Sequence, residues 1–110
     1  MNPEDELNER VDALIDYLKN TGEYREYKHA SRILDESPDV KAKVYEFRKD
    51  NYFLQHAPKG EDIYEKVENL RKKNEDILYR PEVSDFLMTE WAFFSMVQNV
   101  FSRIMDNMEF

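Results

Sequence analysis

The chain has no cysteine among its 110 residues. Disulfides, thiolate catalysis, zinc–thiolate sites and Cys-ligated iron–sulfur clusters are excluded with it, and no cofactor is expected. Glycine occurs twice and proline four times. Gly22 and Gly60 alone cannot build a phosphate-cradling loop, and few breakers favour long solvated helices over sheet. Positive charge is also short: 16 Lys and Arg face 24 Asp and Glu, a net charge of −8. Phosphate backbones repel such a surface, so direct binding of nucleic acid is not expected. Arg71-Lys72-Lys73 is the one basic triplet and reads as a solvated helix face. No long apolar run exists. The most apolar stretch, Trp91 to Ser102, is bounded by Glu90 and Arg103 and contains Gln98 and Asn99. It is too short and too polar to cross a bilayer. The opening Asn2-Pro3-Glu4-Asp5-Glu6 lacks the basic start and apolar core of a signal peptide. A cytoplasmic chain without a membrane partner is the expectation.

What the sequence does contain is helical periodicity, over a length suited to one domain, residues 1–110. Asn2 as a cap, Pro3 in the first turn and Glu4, Asp5 and Glu6 at the positive end of the dipole predict a helix from Pro3 to Lys19. Leu7, Val11, Leu14, Ile15 and Leu18 form its apolar stripe. Thr21-Gly22 breaks the pattern. A second helix is expected over Gly22–Glu36, with Tyr24, Tyr27, Ala30, Ser31 and Leu34 inward and Ile33 at the edge. Ser37-Pro38-Asp39 is a restart signal, giving a third helix over Pro38–Gln55. Its seam of Val40, Val44, Phe47, Asn51 and Leu54 steps by 4, 3, 4 and 3. His56-Ala57-Pro58-Lys59-Gly60 reads as a loop. A fourth helix over Glu61–Tyr79 repeats the rhythm through Ile63, Val67, Leu70, Asn74 and Ile77, and the short loop makes it an antiparallel neighbour of the third.

Arg80-Pro81-Glu82 opens the last and longest expected helix, from Pro81 to near the end. Val83, Leu87, Phe94, Val97, Phe101, Ile104 and Met108 form its seam, and further apolar residues widen it. A helix apolar on so many faces must be covered. The fold class is therefore all-α: an antiparallel helical bundle of about five helices with a long apolar C-terminal helix, dimeric through that helix. Leu87, Trp91, Phe94, Val97, Phe101 and Ile104 are the expected oligomer interface. Asn51 and Asn74 interrupt two apolar seams, as register-setting amides do in coiled coils. Each is expected to reach a third helix, a second subunit or water.

Catalytic chemistry finds little support. His29 and His56 are the only histidines. Glu26-Tyr27-Lys28-His29 has the Glu-x-x-His spacing once, whereas a di-metal bundle needs it twice with further inward Glu. Glu90 falls on the seam of the last helix between Leu87 and Phe94. A metal-binding or enzymatic bundle using Glu26, His29 and Glu90 is the rival reading, and a purely structural subunit of a larger assembly is another. The leading expectation is a non-enzymatic adaptor with no metal site. All seven tyrosines precede Arg80, and Tyr24, Tyr27, Tyr45 and Tyr52 are the candidate partner surface, since Tyr is favoured where proteins meet.

Several segments resemble a known family. Thr21-Gly22-Glu23-Tyr24-Arg25-Glu26-Tyr27-Lys28-His29-Ala30 is similar to the Glu-Tyr and Tyr-Lys segment of the YlbF/YmcA family. Leu34 to Val40 resembles its acidic, Pro-containing junction. Phe47-Arg48 and Asn51 to Gln55 resemble its next helix, and Pro81-Glu82-Val83, Phe86-Leu87 and Glu90 its C-terminal segment. The resemblance implies a small helical bacterial regulator that self-associates. It further implies partners such as a YaaT-like protein or an endoribonuclease, and a link to RNase Y-dependent mRNA processing, competence, sporulation and biofilm control. Cysteines that hold iron–sulfur clusters in some members have no counterpart here.

Overall fold

Asn2 begins the first helix as its side chain suggests: Oδ1 accepts the backbone N–H of Asp5 at 2.8 Å, and Pro3 occupies the first turn, where no N–H is needed. The computed structural model describes residues 2–56 and 63–109. Six helices lie among them, in the order α1 (Pro3–Lys19), α2 (Gly22–Asp35), α3 (Pro38–His56), α4 (Ile63–Lys73), α5 (Glu75–Leu78) and α6 (Pro81–Asp106), with no strand among the described residues. The fold is all-α. At ~1.5 Å per residue α6 is roughly 40 Å long. The expected loop at 57–60 and the expected helix start at 61 lie outside the described residues.

The α1–α2 junction is closed by one hydroxyl. Thr21 Oγ1 donates to the Leu18 carbonyl at 2.6 Å and accepts the Tyr24 N–H at 3.3 Å, so it ends one helix and caps the next. The expected single fourth helix is corrected by the structure, which breaks it at Asn74 into α4 and α5. The Asn74 side-chain amide donates to the Leu70 carbonyl at 2.9 Å. Its own carbonyl then accepts the N–H groups of Ile77 and Leu78. An amide that satisfies the end of its own helix competes with continuation of that helix.

The backbone falls into two compact units, one made of the residues up to Ala30 with those from Leu87 onward, the other Ser31–Phe86. The second holds nearly all of the core: Leu34, Val40, Val44, Ile77, Val83 and Phe86 are buried. Here α3 packs on α4 and α5. Lys73 reaches Asp50 at 3.8 Å and Asp76 reaches Lys43 at 4.0 Å. Numbers that rise on one side and fall on the other mark an antiparallel pair, as the short connection predicts. Lys41 Nζ ties α3 to the end of α2 through Asp35 at 2.6 Å. That hydrogen-bonded carboxylate raises the Lys41 pKa. Arg48 lays its guanidinium over the Phe86 ring, 5.1 Å from the centroid. Val67, placed in the seam by its spacing, is exposed, and α4 contributes half-buried Ile63 and Leu70 instead.

The other unit is organised differently. Ala30 is its one buried hydrophobic residue among those described. Tyr24 and Tyr27 pack against Phe93 and Phe94 of α6, with centroids 5.3 to 6.0 Å apart in edge and stacked geometries. The apolar stripe of α1 is only partly covered: the helix has no buried residue, Leu18 is half-buried, and Leu7, Val11, Leu14 and Ile15 are exposed.

Candidate interaction surfaces

Two exposed faces stand out, one in each unit. The first follows α6 beyond Leu87. This helix forms because Pro81 suits its first turn, Glu82 its positive end and Arg103 its negative end. Between Trp91 and Ser102 it has no charged residue. Of the residues read as an oligomer interface, Trp91, Phe94, Phe101 and Ile104 are exposed by 73, 53, 55 and 49 %, while Leu87 and Val97 are half-buried. The rings leave hollows between them. An open groove of about 550 Å³ is lined by Trp91, Ser95, Asn99 and Val100, together with Glu23 and Arg103. A second of about 340 Å³ lies between Trp91, Phe94 and Gln98. Isolated exposed apolar residues are ordinary, but a contiguous strip of aromatic rings marks a contact surface.

The second face is the outer side of α3. Val40 and Val44 are buried on one side of this helix, and on the opposite side Tyr45, Lys49, Tyr52 and His56 follow each other in steps of 4, 3 and 4. All four are exposed. Tyr52 stacks on His56 with centroids 4.1 Å apart and meets Phe53 edge-on at 6.0 Å. Lys41 lies over the Tyr45 ring at 5.7 Å. Although the chain is acidic overall, this ridge carries aromatic and basic groups in alternation. The four tyrosines read together from sequence therefore separate: Tyr45 and Tyr52 stand on this ridge, whereas Tyr24 and Tyr27 are half-buried against α6. The C-terminal aromatic cluster of α3 escapes a reading by residue type, because Phe53 and His56 reach Tyr52 only once the helix places them one residue and one turn away.

Asn51 is half-buried on the inner side of α3. Asn74 spends its side-chain amide on α4. Exchanging Asn51 for Leu is expected to leave the melting temperature unchanged or raise it, while broadening the distribution of oligomers seen by sedimentation. A severe loss of stability would show that the amide is a required hydrogen-bonding group.

Glu26 and His29 are exposed on α2 and Glu90 is half-buried on α6. Among the described residues, no three His, Cys, Asp or Glu side chains converge as a metal site would require. No described helix is long and apolar enough to cross a membrane.

Comparison with known proteins adds one finding. The family model described as control of competence regulator ComK, YlbF/YmcA, matches residues 7–109, nearly the whole chain. Curated proteins and solved structures gave no match.

Proposed function

The chain belongs to the YlbF/YmcA family, and on that premise we propose that it is a non-enzymatic cytoplasmic regulator that acts by binding proteins, beginning with a second copy of itself. The observation that supports this reading is the strip of exposed rings on α6. Such a strip is costly to leave in water and serves association rather than chemistry. The family description, control of the competence regulator ComK, supports a regulatory role. The finer reading joins the α3 ridge to a second protein, a YaaT-like protein or an endoribonuclease acting in RNase Y-dependent mRNA processing.

Affinity purification from the native host tests this reading. Recovery of a YaaT-like protein or an endoribonuclease with the unmodified chain is expected. The Tyr45→Ala, Tyr52→Ala double variant is expected to recover at least ten times less of it while keeping its helical circular dichroism. Both side chains are more than half exposed, at 51 and 58 %, so their loss leaves the core intact, and aromatic anchors carry a disproportionate share of binding energy. Equal recovery by the double variant would remove the α3 ridge from the proposal.

A further inference from the structure

We propose that the strip of rings on α6 is covered by α1 of a second copy, and that the exchange is reciprocal. The inference rests on the homodimer read above and names the segment that makes it.

Two apolar surfaces in one unit are left largely exposed by the described residues. On α1, Leu7, Val11, Leu14 and Ile15 are exposed on one side of a helix with no buried residue. On α6, Trp91, Phe94, Phe101 and Ile104 are exposed in the same way. At the helical rise the exposed residues span roughly 12 Å on α1, from Leu7 to Ile15, and roughly 20 Å on α6, from Trp91 to Ile104.

Their areas agree with what association needs. A free aromatic side chain offers ~150–250 Å². With the exposures found here the two stripes present on the order of 800 Å² per chain, which is the contribution of one partner to an interface of standard size.

Shape and charge favour α1 over a second α6 as the cover. The α6 face alternates flat rings with hollows of about 550 and 340 Å³. Branched aliphatic side chains at 4, 3 and 4 spacing, as on α1, are suited to enter such hollows as knobs. Two α6 strips placed face to face would set ring against ring and leave both α1 stripes wet. Arg103, the only cation on α6, lines the larger groove together with Glu23. Beside its stripe α1 carries Glu4, Asp5, Glu6, Glu9, Asp12 and Asp16 against Arg10 and Lys19, so it brings negative charge to that groove. Because each chain owns both stripes, a two-fold axis closes the assembly and covers all four at once.

The absence of cysteine makes the test direct. Single variants Leu7→Cys, Leu14→Cys, Phe94→Cys and Phe101→Cys are equilibrated in pairs, oxidised and separated under non-reducing conditions. A disulfide-linked pair between an α1 variant and an α6 variant, formed in several-fold excess over either variant alone, is expected for at least one combination. Preferential linkage of the α6 variants to themselves would overturn the inference. Independently, Val11→Glu is expected to weaken self-association at least a hundredfold by sedimentation. Its helical circular dichroism should be retained, since Val11 is exposed within its own chain. A dimer unaffected by this substitution would also overturn it. An unmodified protein that sediments as a monomer at high micromolar concentration would instead remove the homodimer itself.

Discussion

If the protein self-associates through α6 as proposed, replacing Phe94 and Phe101 together by Glu is expected to leave monomers or aggregates in place of the dimer at micromolar concentration. Both rings are slightly more than half exposed in the single chain. Fully burying a Phe side chain contributes ~1.5–3 kcal/mol, so the exposed half of each represents about 1 kcal/mol. Two rings in each of two chains make about 4 kcal/mol, or roughly a thousandfold in the dissociation constant. Four carboxylates forced into the contact add their desolvation cost. Sedimentation velocity across a concentration series measures the outcome. Both positions are more than half exposed in the single chain, but Phe94 also meets the Tyr27 ring at 6.0 Å, so circular dichroism accompanies the sedimentation to check that the helices are kept. A double variant that remains dimeric would show that α6 lies outside the contact and that its rings are exposed for another purpose.

Truncating Leu34 to Ala is expected to lower the melting temperature by ten degrees or more. Leu34 is 1 % exposed, and with Val44, Ile77 and Val83 it forms the fully buried centre of the Ser31–Phe86 unit. Removing a buried Leu side chain to Cβ costs ~2–5 kcal/mol, the transfer term plus the cavity left behind. Domains of this size hold only ~5–15 kcal/mol in total, and each kcal/mol moves the midpoint by ~4–8 °C in domains of 60–100 residues. Thermal melting followed by circular dichroism reads the shift. A change of only two or three degrees would mean that the surrounding helices close over the gap. Ile33→Ala, next in sequence but exposed, is the matched control and is expected to change the midpoint little.

The helix ends were legible because their causes are local. Asn2, Pro3, Thr21 and Pro38 act on backbone groups within four residues of themselves, and α1 runs over Pro3–Lys19 as those residues predict. The ends of α2 and α3 fall one residue from the expected positions, Asp35 for Glu36 and His56 for Gln55. The break at Asn74 was concealed by the apolar rhythm that runs through it. Its signal was present in Asn74-Glu75-Asp76, a residue type favoured at the N-cap followed by acids in the first turn, although the Asn74 side chain bonds back to Leu70 and does not cap α5. Two of the four tyrosines read as a docking surface stand on α3, and the other two lean on Phe93 and Phe94. Periodicity states which side of a helix a residue occupies and nothing about what lies beside it.

By itself the sequence determined the helical class, the exclusion of thiol chemistry, most helix limits and the family, since each depends on residue type and short spacing. Only the tertiary structure decided which stripes are core. Leu34 and Val83 are covered while the equally apolar Leu7, Trp91 and Phe101 are left in solvent. Burial belongs to a pair of surfaces. A helix carries in its own residues the pattern of one surface, and among the described residues the matching surface is complete for the core around Leu34 and incomplete for the α1 stripe and the outer strip of α6.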